Sequence, residues 1–186
     1  LAMPGVVRVF TARDVPGMRQ VGLIVADWPI LVAAGETTRC VGDVLALVVA
    51  DTCFHARQAA ENVAVEYEVL EPVADPFAAL RPDAPRVHDS GNLLEVCAFS
   101  RGDVDKALAA SEHVIERTFV TQRVEHAFLE PEACLALPSG DGIKVYSQGQ
   151  GVHDDQRQIA AVLGVDLEKV EVELASSGGA FGGKED

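Results

Sequence analysis

The stretch EVELASSGGAFGGKED, residues 171–186, decides how the rest of the chain is interpreted. Residues 171–174 alternate polar and apolar side chains, which predicts a half-buried strand. Four glycines then surround the single aromatic residue Phe181. Because glycine accepts positive φ and carries no side chain, this loop can bring backbone N–H groups close to a bulky or anionic ligand. A domain seldom ends on its most elaborate loop, so we expect Asp186 to lie inside a larger protein.

A nucleotide phosphate loop is one alternative for this segment, because residues 178–184 fit the pattern G-x-x-x-x-G-K after a strand. A phosphate loop needs a hydroxyl at the next position to bind Mg²⁺, whereas Glu185 would set a carboxylate against phosphate oxygens. The glycines also miss the G-x-G-x-x-G spacing of dinucleotide-binding loops. A flexible loop without a ligand is a second alternative. Against it, we expect the apolar ring of Phe181 to be covered.

Composition limits the class of protein. The 186 residues are 48% hydrophobic and 24% charged, which is typical of a globular chain of one or two domains. The formal net charge of −14 argues against nucleic acid and anionic membranes as partners, since both require a basic face. No apolar run approaches the roughly 18 residues of a membrane-spanning helix.

The cysteines and histidines do not form a metal-binding pattern. Four cysteines stand at positions 40, 53, 97 and 134 without any C-x-x-C pair, and the five histidines are equally scattered. We therefore expect no metal held directly by the protein, so that any metal would arrive within a cofactor. Reduced and mostly buried thiols in a cytoplasmic protein are the expectation.

Periodicity predicts an α+β fold. In the first half, residues 44–50 read as a central strand, Asp51 as an N-cap, and 63–70 as a second strand after a helix, with a right-handed crossover. Proline-rich residues between 71 and 100 predict a linker. In the second half, we predict a helix capped by Asp103, a strand over 113–121, a hairpin pairing 132–137 with 143–146, and a helix over 152–163 ended by Gly164.

The segment VEHAFLEPEA, residues 124–133, lies between a predicted strand and the hairpin, where a loop can face a pocket. Its groups capable of acid–base chemistry are Glu125, His126 and Glu130. Pro131 argues against a helix that would bring His126 and Glu130 together, and a third metal ligand is missing. We therefore predict structural hydrogen bonding for both residues rather than catalysis.

Three motifs together resemble the xanthine dehydrogenase/aldehyde oxidase family of molybdenum hydroxylases, in the large subunit that binds molybdopterin. They are residues 124–133, the SQGQ of residues 147–150 with the helix ending at Gly164, and GGAFGGKE at 178–185. Upstream, residues 40–50 and 63–70 are similar to the α/β hammerhead domain of that family. The resemblance implies an α/β hammerhead-like mixed sheet over residues 1–82, a linker over 83–100, and the first α+β portion of a molybdopterin-binding domain over 101–186.

The resemblance also implies a cofactor and a set of site residues. The cofactor would be molybdenum–molybdopterin, in its plain or its cytosine dinucleotide form, with 2Fe-2S and FAD on other domains or subunits. Gln150, Gly179, Phe181 and Gly182 would contact the cofactor, and Glu185 would position a purine, another N-heterocycle or an aldehyde. Many relatives place a glutamine just before the Glu-His pair. Val124 stands there and cannot donate a hydrogen bond, so that contact is not carried over.

The resemblance further implies that most of the cofactor cradle lies beyond residue 186, so we expect the isolated 186 residues to be catalytically inactive. A non-catalytic assembly module, in which Phe181 docks on a partner chain, remains an alternative alongside the phosphate loop.

Overall fold

The computed structural model of the protein describes residues 3–185, which form two compact units: residues 3–65 with 125–185, and residues 66–124. The strands are β1 (Val6–Phe10), β2 (Gln20–Val21), β3 (Trp28–Pro29), β4 (Leu47–Ala50), β5 (Leu135–Ser139), β6 (Gly142–Ser147) and β7 (Val170–Leu174). The α-helices are α1 (Cys53–Glu61), α2 (Pro76–Ala79), α3 (Val104–Ala110) and α4 (Val152–Leu163). The predicted α+β class is confirmed.

A three-stranded sheet, ordered β5–β6–β7, forms the centre of the first unit. β5 and β6 make the predicted hairpin, with Ser139 opposite Gly142 and Gly140 at φ +59° in the two-residue turn. β6 then pairs in parallel with β7 through the crossover helix α4, which packs on β7. Val170 at the start of β7 is only 1% exposed, so the core of this unit lies between the sheet and α4.

Lys144 on β6 connects the two parallel strands on their exposed face. Its ammonium group lies 2.8 Å from the carboxylates of both Glu171 and Glu173 on β7. Hydrogen bonds to the two carboxylates raise the pKa of Lys144 above its usual value. The charges that alternate along β7 are therefore matched by one central cation.

The ends of α4 agree with the sequence prediction. Helix α4 begins after the turn at Gly151 and ends at Gly164, which has φ +64°. Two amides from the N-terminal segment cover its last carbonyls: Gly17 N donates to Val162 O at 2.9 Å, and Met18 N donates to Ala161 O at 2.8 Å. The N-terminal segment therefore caps a helix more than 130 residues further along the chain.

The N-terminal part differs from the predicted strand–helix–strand unit. The strand expected over 44–50 is confined to β4, which pairs antiparallel with β1. Helix α1 follows, but its N-cap is Thr52, whose side-chain oxygen accepts from His55 N at 3.1 Å. The predicted cap, Asp51, is not available, because its carboxylate contacts His55 Nδ1 at 2.5 Å.

Residues 63–70 and 113–121 form neither helix nor strand, so both strand predictions are wrong for the described chain, and so is the predicted crossover. A strand requires a hydrogen-bonded neighbour, and no ladder joins either segment to another part of residues 3–185. Their side chains are exposed on both faces, as Ile115 (82%) and Val120 (90%) illustrate. The alternation of polar and apolar residues indicates that a segment can form a strand. It does not show which neighbouring strand would pair with it.

The second unit, residues 66–124, contains α2 and α3. Asp103 caps α3 as predicted, accepting from Lys106 N at 2.9 Å, and Asp75 caps α2 in the same way. Asn92 stabilises the proline-rich region: its Oδ1 accepts from Val87 N, and its Nδ2 donates to the carbonyls of Ala79 and Pro85. The domain limits at 82 and 100 stay predictions.

The cysteines contradict the expectation of burial. All four are free and exposed; Cys53 begins α1, and the other three lie outside the helices and strands: Cys40, Cys97 and Cys134. Separately, none of the helices in the described residues has the length and apolar character needed to cross a membrane.

An ion pair in the N-terminal segment gives a test of pH dependence. Arg19 binds Glu36 through both terminal guanidinium nitrogens, at 2.7 and 3.0 Å, and Ala33 N donates to the same carboxylate. The bond to Arg19 foremost, and then that to Ala33, lower the pKa of Glu36 to about 2.

Because this pKa lies below the ordinary value of 4.5, the stabilisation is complete above about pH 4.5 and disappears as pH falls through about 2. We expect NMR titration of the Glu36 carboxyl carbon to give a midpoint near 2, with the Ala33 amide signal following it. Glu36→Gln should abolish the Ala33 response. A Glu36 midpoint near 4.5 would contradict the assignment.

Candidate functional site

The candidate site lies at one edge of the three-stranded sheet. Because β6 and β7 are parallel, they end side by side, and Ala175 N extends the pairing by donating to Ser147 O at 2.7 Å. The turn of residues 148–151 follows β6, and the glycine loop of residues 178–184 follows β7. Ligands of parallel sheets bind outside the carboxyl ends of the strands. The topology therefore places two of the sequence motifs at the edge where a ligand is expected.

The glycine loop has the unusual backbone that its sequence predicted. Gly179 has φ +109° and Gly182 has φ +88°, values that side chains rarely permit. Between them, Phe181 also lies in the left-handed region at φ +54°, and Gly183 N closes a turn onto Ala180 O at 2.9 Å. A non-glycine residue in this region costs free energy and persists only where surrounding contacts hold it, which is common at functional sites.

Gln150 joins the turn to the glycine loop. Its side-chain oxygen accepts from Gly182 N at 3.0 Å and from Lys184 N at 3.3 Å. Its own backbone N–H donates to Lys184 O at 2.8 Å. Gln150 therefore fixes the position of the second half of the loop, and the Nε2 donors of its amide make no bond to another described residue.

Glu130, in the motif of residues 124–133, holds both ends of the glycine loop. Its carboxylate accepts from Gly178 N at 2.6 Å, and its backbone carbonyl accepts from Lys184 Nζ at 2.9 Å. We call these two bonds the Glu130 clamp. These bonds agree with the structural hydrogen bonding predicted for Glu130.

Close packing accompanies the clamp. A Cβ atom at Gly178 would lie 2.5 Å from Glu130 Cβ, and one at Gly183 would lie 3.0 Å from the His126 ring. His126 therefore packs against the loop, and it also contacts Glu125, whose carboxylate lies 3.5 Å from its Nδ1. Ala127, between His126 and Phe128, has φ +48°, so both facing segments contain a left-handed residue other than glycine.

Gln148 and Ser147 complete the framework. Gln148 Oε1 accepts from Ala133 N at 3.2 Å, and its Nε2 donates to Ser176 O at 3.4 Å. Ser147 Oγ donates to Asp155 in the first turn of α4 at 2.7 Å and accepts from Gly149 N at 2.9 Å. Three motifs that are distant in sequence thus form one hydrogen-bonded assembly.

The tip of the glycine loop is left open. The amides of Gly179, Ala180 and Phe181 donate to no acceptor within residues 3–185, whereas those of residues 178 and 182–184 are all bonded. The Phe181 ring lies against Gly179 but is 76% exposed, so the described chain does not provide the expected cover. Glu185 is also exposed.

Sequence reasoning missed the environment of Lys184. Lys184 is only 3% exposed, and its ammonium lies 4.5 Å from the centre of the Phe128 ring. A phosphate loop requires this lysine to reach a nucleotide, so the geometry does not support that alternative. No group of three or more His, Cys, Asp or Glu residues in the described chain is arranged to hold a metal ion.

Comparison with protein families gives the class. Residues 87–186 match the family described as molybdopterin cofactor-binding domain, and residues 1–71 match the aldehyde oxidase and xanthine dehydrogenase a/b hammerhead domain. The chain therefore belongs to the aldehyde oxidase/xanthine dehydrogenase family of molybdopterin proteins. This confirms the resemblance inferred from the three motifs.

Individual relatives agree with this assignment. The chain is 38% identical to a probable xanthine dehydrogenase subunit of Bacillus subtilis (strain 168), and 34% identical to the nicotinate dehydrogenase large molybdopterin subunit of Eubacterium barkeri. These alignments include 99% and 100% of the chain, but only 25% and 43% of the relatives. The chain thus spans less than half the length of either protein.

Solved structures show the same relationship. The aldehyde oxidoreductase from Desulfovibrio gigas superposes with a TM-score of 0.84 at 29% identity, over 98% of this chain and 21% of that one. Quinoline 2-oxidoreductase from Pseudomonas putida 86 gives a TM-score of 0.83 at 28% identity, over 98% of this chain and 24% of that one.

Proposed function

We propose that this chain forms one wall of the cofactor site in a molybdenum-dependent oxidoreductase that hydroxylates an N-heterocycle such as a purine, or oxidises an aldehyde. The observation that carries the proposal is the selective bonding of the glycine loop. Glu130 and Gln150 bind the amides on either side of its tip, while the three tip amides have no acceptor in the described chain. Unbonded amides on a fixed loop suit the oxygen-rich surface of a molybdopterin group.

The residues present fit such a group. The Nε2 donors of Gln150 and the tip amides would hold its polar edge. At Gly182, the nearest atom to an added Cβ is His126 Nε2 at 3.9 Å, so a bulky group can approach the backbone there. Phe181, held beside Gly179, would cover an adjacent face of the cofactor. When bound, the cofactor supplies the oxygen transfer and the electron acceptance that no side chain in this chain can provide.

The residues of this chain would orient the substrate and exclude water from the site. Gly182 would contribute through its shape, since its N–H is already bonded to Gln150. The exposed carboxylate of Glu185 would accept a hydrogen bond from an N–H or O–H of the substrate and so fix its orientation. The phenyl group of Phe181 would exclude water from the same side. We propose that electrons leave through 2Fe-2S and FAD centres on other domains or subunits, and that the enzyme is cytoplasmic.

The relatives support a range of substrates rather than a single one. Their names include xanthine, nicotinate, quinoline and aldehydes, which are electron-poor heterocycles or carbonyl compounds.

Gln150→Leu in the full-length protein tests the proposal. The substitution removes the acceptor for two loop amides and the donors offered to the cofactor, so we expect molybdenum and pterin content to fall about tenfold, the effect of roughly 1.4 kcal/mol. Both are measured after purification from the native host. Gln58→Leu, an exposed glutamine on α1, is the matched control and should load normally.

The wild-type protein gives the decisive outcome. A full-length protein that contains neither molybdenum nor pterin would overturn the proposal. Normal loading of Gln150→Leu would overturn only the role given to Gln150.

A further inference from the structure

Among the described residues, Lys184 is the one charged residue that is buried, and the proposed function does not explain why. Lysine is almost never fully buried, because removing an ammonium group from water is costly unless a partner compensates. Here no carboxylate within residues 3–185 forms an ion pair with it. Its polar partner is instead the backbone carbonyl of Glu130, at 2.9 Å.

The second contact is aromatic. Lys184 Nζ lies 4.5 Å from the centre of the Phe128 ring, which is within the range of a cation–π interaction. Phe128 and Glu130 belong to the same short segment, and Phe128 Cβ also lies 3.4 Å from the position of a Cβ atom at Gly179. The ammonium therefore contacts two groups of one segment, the Phe128 ring and the Glu130 carbonyl, and this segment packs against the glycine loop.

We propose that Lys184 is a positioning residue: its ammonium pins the exit of the glycine loop onto residues 128–130, and thereby sets the direction of the tip amides. The proposal rests on the proposed function for what those amides bind, but the pin itself is a property of the chain without cofactor. The mechanism needs no proton transfer and no direct contact between Lys184 and the cofactor.

The geometry explains why both ends must be held. Gly178 and Lys184 are the two ends of the loop, and both are bonded to Glu130, one through its carboxylate and one through its carbonyl. With its ends fixed on one residue, the loop between them is confined to few conformations. Gln150 adds bonds from Gly182 N and Lys184 N, so Phe181, at φ +54°, lies in a segment that is held on both sides.

Stability alone does not account for a lysine at this position. Methionine has nearly the same length and fills a buried site without the cost of desolvating a charge. A substitution to methionine should therefore preserve the fold while removing the directional bond to Glu130 O. The order of the loop and the stability of the fold become separately measurable.

The experiment compares Lys184→Met, Lys184→Arg and Phe128→Leu in the full-length protein, prepared without molybdenum as apoprotein and with it as holoprotein. In the apoprotein, we expect amide exchange of the peptide over residues 178–184 to be about tenfold faster in Lys184→Met, at an unchanged melting temperature. Lys184→Arg keeps the charge and donors and should recover part of the protection. Lys169→Met, a partly exposed lysine paired with Asp141, is the matched control and should leave the loop unchanged.

In the holoprotein, molybdenum and pterin content should fall in the order wild type, Lys184→Arg, Lys184→Met. Wild-type exchange of the loop in a folded Lys184→Met protein would overturn the proposal. If Lys184→Met does not fold, Phe128→Leu decides, because faster exchange supports the pin and wild-type exchange overturns it. A wild-type protein that lacks pterin would overturn the proposed function, while the exchange comparison in the apoprotein would still decide the role of Lys184.

Discussion

Replacing Gly178 with valine in the full-length protein is expected to lower molybdenum and pterin content at least about tenfold. Even a single Cβ atom at this position would lie 2.5 Å from Glu130 Cβ, and valine adds two methyl groups beyond it. Overpacking of this kind costs about 1–3 kcal/mol, and each 1.4 kcal/mol changes an equilibrium tenfold. The loop would relieve this clash by moving away from Glu130, and the movement would break the 2.6 Å bond from Gly178 N to the Glu130 carboxylate.

A second substitution, close to Gly178 in the chain, supplies the control. Ser176→Val alters a position two residues earlier, where a Cβ atom already exists and the side chain is exposed, and it should retain normal cofactor content. Gly178 has no positive φ, so the comparison isolates close approach from backbone conformation. Equal loading of the two variants would show that the glycine loop does not need its contact with Glu130.

Gly17→Val is expected to produce the largest loss of stability, about 3 kcal/mol in the free energy of unfolding. A Cβ atom at Gly17 would lie 2.1 Å from Ala161 O and 2.6 Å from Gly164 N, both backbone atoms that cannot rotate away. The clash adds an overpacking cost to the loss of the bonds from Gly17 and Met18 to the end of α4, each worth about 1 kcal/mol.

Chemical denaturation of the full-length protein measures this effect. Ala34→Val, at an exposed position of the same N-terminal segment, should change the midpoint little. A Gly17→Val protein with wild-type stability would mean that the segment does not cap α4 in solution.

Local signals in the sequence predicted the second half of the first unit well. The hairpin, the limits of α4 and the strand before the glycine loop all follow from turn residues, caps and alternation that act within a few residues of one another. The strand predictions at 63–70 and 113–121 failed because pairing depends on a neighbour that no local pattern encodes. The N-cap of α1 is Thr52 rather than the predicted Asp51, because the Asp51 carboxylate contacts the His55 ring.

The sequence likewise predicted some features of the candidate site and missed others. The glycine-rich sequence predicted positive φ values in the loop, and the resemblance singled out Gly179 and Gly182, which both have positive φ. The clamp was not foreseen, since Glu130 and Lys184 are 54 positions apart and neither belongs to a recognisable pair. Two glycines that resemble the others in sequence, 178 and 183, serve close packing instead, which only the arrangement of the facing segment reveals.

The cap that residues 17 and 18 place on α4 has a practical consequence for dissecting the protein. An excised piece beginning at residue 87, where the cofactor-domain family match starts, would leave the carbonyls of Ala161 and Val162 without these donors. The helix that leads out of the Gln150 turn would then fray from its far end. Limits drawn from sequence families therefore do not mark where this protein can be cut, and a stable excised domain must include the N-terminal segment.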